Sequence, residues 1–489
     1  MRAALFVLTW AMFMLLAPAA PLVGVSRTVA TTARALVENG TLDVAGRGDA
    51  VSLPSTVVHD GRRRAETALG AALLLVPAEA MARAFAGVDP QLRLARALES
   101  GTAAAVVAFL CVLFFGALRE EGLTPRAALE FTLLLAFATP LVWYARVPDG
   151  SALAALLLFV AVRAARAFAA ADGKGATPTL GLALGLSLGA LVIVQPTLLL
   201  AALVIVAWCG LHRHAPIRPA SLVRVIGPLV AGIACVLLHR WHVGAAAEPM
   251  GDLVQGLDGL LLSTGKSIFL YAPICLLALP ALAWMWRARR ADAQLVLAVA
   301  AALLLAAAQL DDWHGDPTWG PRRALPLMPL AVETVALAWL ARRSERRARR
   351  RATSAVALLA VAGIGVQLVG IAIAPSTYLD VATEVRLASG SPSWFGEQPS
   401  ECHFIPQFSP IVGHAWLLSH LVRNDRRLDV DPPYKLLLAS APKLESVWPR
   451  LRVDWIGRDW SRAAAAAWLA ALGAIAVAAA LVLRRRVLR

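Results

Sequence analysis

Residues 310–323 bring together, within fourteen positions, the side chains that acid–base and phosphate chemistry requires. Carboxylates beside an imidazole can serve as general bases or metal ligands, arginines can grip a phosphate through paired hydrogen bonds, and indole rings can stack on a sugar or rest among lipid headgroups. The alternative is a hydrated turn whose charges pair with one another. The side chains concerned are Asp311, Asp312, Asp316, His314, Trp313, Trp319, Arg322 and Arg323.

A second polar segment, residues 259–273, contains the string Gly265-Lys266-Ser267. It is not a nucleotide-binding loop of the GxxxxGK[ST] type, because the first glycine is wrongly placed and no predicted strand precedes it. Lys266, at the mouth of a helix, could instead attract a phosphate carried by a lipid. Simple snorkelling of its ammonium group to the membrane surface is the alternative interpretation.

Long apolar stretches flank both polar segments and must position them. The chain is 59% hydrophobic and 16% charged, whereas an average soluble domain is about 25% charged, so lipid must cover part of its surface. The formal charge of +15 comes from short arginine clusters between apolar runs, a pattern typical of membrane-protein loops rather than of a nucleic-acid surface. Four of the five cysteines lie in apolar runs and Cys402 stands apart, so neither a disulfide framework nor a Cys-x-x-Cys metal site is indicated.

Twelve stretches approach the roughly 20 apolar residues that a membrane-spanning helix needs. A thirteenth, 67–86, is interrupted by Pro77, Glu79 and Arg83, and we predict that it is an interfacial or re-entrant helix. The first stretch is predicted to be a retained membrane helix rather than a cleaved signal peptide. The twelve stretches are 3–24, 100–117, 127–145, 150–166, 178–194, 197–211, 223–239, 267–286, 293–310, 325–341, 354–374 and 462–483.

The arginine clusters set the predicted orientation, because basic loops of membrane proteins stay in the cytoplasm. Both termini are then cytoplasmic, together with the clusters at 342–351 and 484–486. The great excess of arginine over lysine hints at a GC-rich bacterial genome, so the predicted location is a bacterial plasma membrane. The predicted outer segments are 25–99, 146–149, 240–266, 311–324 and 375–461.

The predicted fold is an all-α integral membrane protein of about twelve transmembrane helices, divided into three regions. Residues 1–374 form a polytopic core that includes the first outer loop, 25–99, with its interfacial helices. Residues 375–461 form a small irregular outer cap, and 462–489 form the last helix and a basic cytoplasmic tail. In the first loop, an amphipathic helix is predicted from Thr28 to Glu38, ended by Asn39-Gly40. The turn at 146–150 is predicted only to cap a pair of helices.

The chain resembles the GT-C superfamily of polytopic glycosyltransferases, and within it the relatives of protein O-mannosyltransferases and aminoarabinose transferases. The resemblance covers nearly the whole chain and is to a bacterial branch of the superfamily. Its local strings, in order, are Arg34-Ala35-Leu36-Val37-Glu38-Asn39-Gly40-Thr41-Leu42, Gly259 to Pro273, Trp319-Gly320-Pro321-Arg322-Arg323 followed by Leu325-Pro326-Leu327-Met328-Pro329, and Phe408-Ser409-Pro410-Ile411-Val412-Gly413-His414.

The resemblance implies inverting transfer of a sugar from a polyprenyl-phosphate donor to a glycan, lipid or protein acceptor at the outer leaflet. We predict no cofactor and name no metal ligands, and the sequence leaves metal dependence open. The resemblance also implies an acid directly after the first helix, but this chain has Val25-Ser26-Arg27-Thr28 there, and Asp60-Gly61 is followed by arginines where related chains have a Tyr-Ser-x-Lys-x-Pro-like string. The candidate residues are therefore Asp311 or Asp312, then Asp60, as the catalytic carboxylate; Arg322, Arg323 and Lys266 for the phosphate; Trp313 and Trp319 for sugar stacking; and His314 in the same substrate site.

Two other function classes remain open from the sequence. The missing acid after the first helix would suit a catalytically inactive GT-C-like scaffold in envelope biogenesis. A lipid or solute transporter is the second alternative, although Glu130 and Glu333 lie near helix ends and the apolar stretches otherwise contain few charges, which disfavours proton-coupled transport.

Overall fold

A computed structural model of the chain provides the structure. It describes residues 1–18, 22, 24–44, 56–59, 62–66, 69–85, 93–171, 177–213, 219–245, 249–315, 318–342, 345–373, 377–378, 381–382, 403–423, 427–430, 434–437, 454–455, 458–459 and 461–488. All structural statements below concern these residues.

The structure confirms the predicted all-helical membrane fold. Three short 3-10 segments interrupt the helices, at Pro196–Leu198, Arg322–Leu327 and Pro406–Phe408. The helices are α1 (Arg2–Leu15), α2 (Gly24–Asn39), α3 (Leu69–Ala84), α4 (Arg93–Glu120), α5 (Pro125–Phe137), α6 (Leu141–Tyr144), α7 (Ser151–Ala170), α8 (Thr177–Val194), α9 (Leu199–His212), α10 (Pro219–Val243), α11 (Leu253–Leu261), α12 (Ile268–Tyr271), α13 (Cys275–Ala288), α14 (Arg290–Ala308), α15 (Met328–Ala341), α16 (Arg346–Ala372), α17 (Pro410–Arg423) and α18 (Ser461–Leu488).

Every predicted apolar stretch contains helix, but the predicted number of twelve spans is not confirmed. Seven described helical segments are long and apolar enough to cross a membrane, and four shorter apolar helices accompany them. The seven are Leu94–Glu120, Ser151–Ala170, Pro219–Val243, Arg290–Ala308, Arg322–Ala341, Arg346–Ala372 and Ala466–Val487; the shorter four are Arg2–Leu15, Pro178–Val194, Pro196–His212 and Cys275–Ala288.

Prolines account for two differences between predicted and observed helix boundaries. The first stretch was expected to run from 3 to 24, but α1 ends at Leu15, shortly before Pro18. The stretch at 127–145 divides into α5 and α6, with Pro140 between them. Proline lacks an N–H and disfavours helical geometry in the residue before it, so an apolar run that contains it is an unreliable measure of helix length.

The first loop folds against the bundle through buried charge. The predicted amphipathic helix is present as α2, which ends at Asn39 with Gly40 in the left-handed region at φ +64°. Arg34 on α2 lies 3.2 Å from a carboxylate oxygen of Glu79 on α3 and 3.7 Å from one of Glu99 on α4. Both glutamates are buried. A single guanidinium therefore joins α2 to α3 and α4.

Helices α8 and α10 pack with their backbones in close contact. A Cβ added to Gly185 or Gly189 on α8 would overlap the carbonyl oxygen of Arg224 or Pro228 on α10. A Cβ added to Gly232 on α10 would in turn lie 2.8 Å from the Cα of Gly189. Small residues at four-residue spacing allow this approach, as they commonly do between membrane helices.

One end of the bundle, here called the ionic end, carries a network of mutually paired charges. Arg163 on α7 contacts Glu120 at 2.7 Å and Glu121 at 3.0 Å, and Arg289 contacts Glu121 at 2.5 Å. Glu333 on α15, 1% exposed, accepts from Arg166 at 2.9 Å. Arg166 also lies 3.3 Å from Asp292, at the start of α14. The network ties together α4, α7, α14 and α15.

The strands form three separate two-stranded antiparallel hairpins. β1 (Thr56–His59) pairs with β2 (Arg62–Ala65) in the first loop. In the predicted outer cap, β3 (Arg427–Val430) pairs with β4 (Tyr434–Leu437), and β5 (Asp454–Trp455) with β6 (Arg458–Asp459). Helix α17 also lies in this segment, which the sequence predicted to be irregular.

Candidate active site

A cavity of about 210 Å³ opens at the end of the bundle opposite the ionic end, here called the cavity end. Helix α14 separates Asp292 at the ionic end from the cavity, and its 19 residues extend about 28 Å. Most of the cavity wall comes from connections between helices, brought together from distant parts of the chain. The lining residues are Val25, Glu66, Asp149, Gly150, Ser151, Val194, Gln195, Pro196, Thr197, Pro249, Asp311, Asp312, Arg322 and Arg323.

The turn after α14 carries two aspartates into the cavity. Its backbone is held by the segment before α11, since the amide of Asp311 donates to the carbonyl of Pro249 at 3.1 Å and that of Gly251 donates to Gln309 at 2.8 Å. A Cβ on Gly251 would lie 2.9 Å from the Cα of Asp311, so a side chain there would displace the turn. The position of Asp311 is thus fixed by backbone contacts.

The same turn folds back so that its two arginines lie beside its aspartates. Gly315 allows the reversal because its φ is +67° and an added Cβ would lie 3.3 Å from Arg322. Arg323, 7% exposed, donates through Nε to the carbonyl of Asp312 at 3.0 Å and through Nη2 to its carboxylate. The Arg323–Asp312 pair closes the turn on itself, and Arg322 lies on the cavity wall.

The four acids on the wall differ in what they contact. Asp149, just before α7, accepts from the amide of Ser151 at 2.8 Å and from its hydroxyl at 3.0 Å. Glu66 lies 3.5 Å from Arg240, and Asp312 is paired with Arg323. Within the described part of the chain, Asp311 forms no ion pair and its side chain is exposed to the cavity. Asp311 is therefore the best-placed carboxylate to accept a proton from a bound molecule.

The two tryptophans predicted to stack on a sugar lie inside the protein and do not line the cavity. Trp319, 1% exposed, packs edge-on against Tyr271 and donates from Nε1 to Gln367 at 3.1 Å. Trp313, 2% exposed, packs over Gly259, where an added Cβ would overlap its ring. Burying a large aromatic surface stabilises the fold. The role that fits both indoles is packing beneath the turn.

Lys266 and His314 are also placed behind the cavity rather than on its wall. Lys266 is 1% exposed, and its Nζ donates to the carbonyl of Thr318 at 2.8 Å. The ring of His314 lies 5.0 Å from that of His403. Burial, with added repulsion from the charges of Lys266 and His314, lowers the pKa of His403 well below its usual value. Lys266 therefore supports the 311–323 turn from behind, and the phosphate role fits Arg322 better.

Sequence reasoning gathered four of these residues, Asp311, Asp312, Arg322 and Arg323, and missed two acids. Glu66 has no spacing signal, since it follows a β-hairpin in the first loop. The turn at 146–150 was expected only to cap a pair of helices, but its Asp149 also lines the cavity; the place of this acid between two predicted spans was the available signal. Asp60 lies outside the described residues.

Val25 occupies the cavity wall at the place where the family resemblance implies an acid. Across the described residues, no three His, Cys, Asp or Glu side chains are placed to hold a metal ion.

No protein-family profile and no curated protein matches the chain. Its helices resemble the arrangement in the crystal structure of ArnT from Cupriavidus metallidurans in the apo state, with a TM-score of 0.48, 15% identity, and coverage of 84% of this chain and 74% of that one. For ArnT from the same organism bound to undecaprenyl phosphate, the values are 0.49, 14%, 86% and 79%. The likeness concerns helix arrangement alone. By its own helices, the chain is an all-helical, multi-pass membrane protein with one end opened by a charged cavity.

Proposed function

We propose that the chain is a membrane glycosyltransferase that moves a sugar from a polyprenyl-phosphate donor to an acceptor hydroxyl. The observation that carries the proposal is the convergence of Asp311 and Arg322 on one cavity at the cavity end. A carboxylate without an ion-pair partner among the described residues, beside a cation that suits phosphate, is the minimum set for this reaction. The donor class is the one that the sequence resemblance implies.

In the proposed reaction, the acceptor hydroxyl attacks the anomeric carbon of the sugar while its proton passes to the carboxylate of Asp311. The bond between the anomeric carbon and the phosphate oxygen breaks on the opposite face, which inverts the anomeric configuration. The electron pair leaves with polyprenyl phosphate, whose added negative charge Arg322 stabilises. A single carboxylate suffices because the phosphate is a good leaving group and needs no protonation.

Arg323 is a positioning residue in this proposal. Its contacts with the carbonyl and carboxylate of Asp312 hold the turn in the conformation that presents Asp311 and Arg322 together. Positioning of this kind matters because small displacements of reacting groups reduce rates steeply.

The proposed location is a bacterial plasma membrane with the cavity end outside and both termini in the cytoplasm. Two arginine-rich segments, 342–351 and 484–486, support this orientation by the bias of basic loops toward the cytoplasm. The acceptor would then be a glycan, lipid or protein of the cell envelope, reached at the outer leaflet.

The test is transfer by the purified full-length protein in liposomes, supplied with polyprenyl-phosphate sugars and extracted envelope acceptors. Asp311→Asn is expected to lower the transfer rate by about 10²-fold or more, since it removes the general base. Arg322→Ala is expected to raise KM for the donor and lower kcat. Asp258→Asn is the matched control, because Asp258 is an exposed acid on α11 that does not line the cavity.

Two outcomes would contradict the proposal. Full transfer by the Asp311→Asn variant would show that another group takes the proton. A wild-type protein that binds the donor and transfers nothing to any acceptor would favour the inactive-scaffold alternative, for which Val25 on the cavity wall is the supporting observation.

A further inference from the structure

The first turns of α16 carry a dense group of arginines, here called the α16 cluster. Its members are all exposed, and within the described part of the chain none of them forms an ion pair. The arginines of the ionic network, in contrast, each contact a carboxylate of another helix. The α16 cluster consists of Arg346, Arg347, Arg349, Arg350 and Arg351.

The α16 cluster lies at the same end of the bundle as the ionic network. Helix α15 carries Glu333 of that network and is followed by α16, so α16 begins at this end. The acid just before the cluster, Glu345, is exposed and forms no ion pair among the described residues. The cluster therefore presents positive charge that no described side chain neutralises.

One side of the α16 cluster packs against Trp339 at the end of α15. The guanidinium carbon of Arg349 lies 5.1 Å from the centre of the Trp339 ring. The indole N–H donates to the hydroxyl of Thr353 on α16 at 3.0 Å. A cation over an indole face is an attractive contact, and tryptophan favours the headgroup level of a bilayer. These contacts fix the rotation of α16 and place its arginines near the headgroups.

The other side of the α16 cluster continues into the lipid-facing surface of the helix. Leu358 follows Arg347 by eleven residues, and Val361 follows Arg350 by the same number. Eleven residues make about three helical turns, so each pair lies on one face of α16. Leu358 and Val361 are each 69% exposed, and large apolar side chains exposed on a membrane helix contact acyl chains. One face of α16 thus carries positive charge at its end and hydrocarbon beyond it.

We infer that this face of α16 binds an anionic phospholipid. The headgroup lies at Arg347, Arg350 and Arg351. The acyl chains follow Leu358 and Val361 toward the middle of the bilayer. The inference goes beyond the proposed transfer reaction and does not depend on it.

Two observations select this ligand. Charge complementarity favours an anionic headgroup, because a zwitterionic phospholipid brings no net charge to the α16 cluster, and a basic side chain near the membrane surface strengthens anionic-lipid binding about fivefold. Continuity with the exposed apolar face favours a lipid over a soluble polyanion, since the face that carries the arginines enters the bilayer. A lipid contacts both parts of this face at once.

Photo-crosslinking tests the inference in the full-length protein. A benzophenone amino acid is placed at Leu358 or, as the control, at Leu186 on α8, which is 55% exposed on a helix without charged residues. The vesicles contain equal amounts of phosphatidylglycerol and phosphatidylcholine with the same acyl chains, and mass spectrometry counts the two adducts. At Leu358 we expect an excess of phosphatidylglycerol adduct of about tenfold, equivalent to roughly 1.4 kcal/mol. At Leu186 we expect equal amounts.

A charge-removing variant supplies a second measurement. Combined substitution of Arg347→Gln, Arg350→Gln and Arg351→Gln is expected to remove the phosphatidylglycerol excess at Leu358. The SDS unfolding midpoint should stay at the wild-type value, because these side chains are exposed. Arg126→Gln is the matched control, since Arg126 is exposed but pairs with Glu130 at 2.8 Å. This control should keep the excess.

Three outcomes would overturn the inference, and each leaves the proposed function standing. The first is equal adduct of the two lipids at Leu358 in the wild type. The second is an excess that persists in the folded triple variant. The third is binding of an RNA oligonucleotide by the wild type but not by the triple variant, without any lipid excess, which would assign the α16 cluster to a soluble polyanion.

Discussion

The cavity end and the ionic end both concentrate charge, but they use it differently. At the ionic end, Arg163, Arg166 and Arg289 each contact carboxylates of neighbouring helices, and the central acid, Glu333, is buried between two arginines. At the cavity end, Asp311 and Arg322 face an open space. The networked charges at the ionic end pair across neighbouring helices, whereas Asp311 and Arg322 are the residues that the proposed function assigns to a ligand.

The difference between the two ends shows how to interpret buried charges in a membrane protein. Ionisable groups among apolar helices cost free energy and need a reason, which can be chemistry or the pairing of charges between helices. The number of ion-pair partners distinguishes a charge that joins helices from one that is available for chemistry. Glu333 has two arginines within 3.5 Å, whereas within the described residues Asp311 has none.

The largest expected effect on stability is at the ionic end. Glu333→Gln leaves Arg166 without its closest partner in a buried setting, and removal of one member of a buried pair costs about 3–5 kcal/mol of unfolding free energy. An SDS titration of the purified protein measures the loss. Donor binding at the cavity should be unchanged at a temperature where the variant is folded.

The matched control for this prediction is Glu130→Gln. Glu130 pairs with Arg126 at 2.8 Å, but both side chains are largely exposed. The SDS midpoint should stay at the wild-type value. If Glu333→Gln also left the SDS midpoint unchanged, or if it abolished donor binding while the protein remained folded, the assignment of the ionic-end network to cohesion alone would be wrong.

The second-largest expected effect is a pH dependence of folding stability that arises from a histidine near the cavity end. His414 on α17 is buried against Trp319 and Tyr378, and this burial lowers its pKa from 6.5 to about 4. The folded state thus binds fewer protons than the unfolded state below pH 6.5, so stability is complete above pH 6.5 and falls as the pH drops toward 4. The full loss is about 3 kcal/mol at 1.36 kcal/mol per pKa unit.

Unfolding midpoints measured between pH 7 and pH 4.5 test this predicted pH dependence. The range runs from above to below the ordinary histidine pKa near 6.5. The His414→Phe variant, which keeps an aromatic ring and cannot titrate, should lose most of the pH dependence. Trp416→Phe on the same helix should retain it. A His414→Phe variant as sensitive to acid as the wild type would assign the dependence to other groups.

The smallest expected effect lies between the two ends, where α8 and α10 pack through glycine. Gly185→Leu would drive a side chain into the carbonyl oxygen of Arg224, and overpacking of this kind costs about 1–3 kcal/mol. Gly227→Leu on α10 is the matched control, because nothing lies within 4 Å of a Cβ built there. SDS titration of both variants gives the comparison; equal midpoints would show that the close approach contributes nothing.

Much of the fold was predictable from the sequence because hydrophobic length and arginine position are local signals. The twelve apolar stretches all contain helix, and α2 lies where its amphipathic pattern and Asn39-Gly40 predicted it. Helix ends were less predictable where prolines interrupt an apolar run, as at Pro18 and Pro140. The interfacial position of α3 and the placement of the termini remain predictions.

The candidate site was only partly predictable, for a physical reason. Asp311, Asp312, Arg322 and Arg323 lie in one turn, so spacing alone brings them together. Glu66 and Asp149 reach the same cavity from other connections, and no property of their neighbours in sequence reveals that convergence. The sequence placed Trp313 and Trp319 in the substrate site, but the structure buries both. Composition cannot distinguish an indole that faces a ligand from one that packs beneath a loop.

The cavity wall draws on residues from Val25 to Arg323, and this span has a consequence for synthesis. A ribosome must complete 323 of the 489 residues before the wall can close. A shorter nascent chain already inserted in the membrane would hold Glu66 and Asp149 without Asp311 or Arg322. Under the proposed function, an unfinished chain would lack both the proton acceptor and the phosphate-binding arginine, so the order of translation itself would prevent early consumption of a lipid-linked precursor.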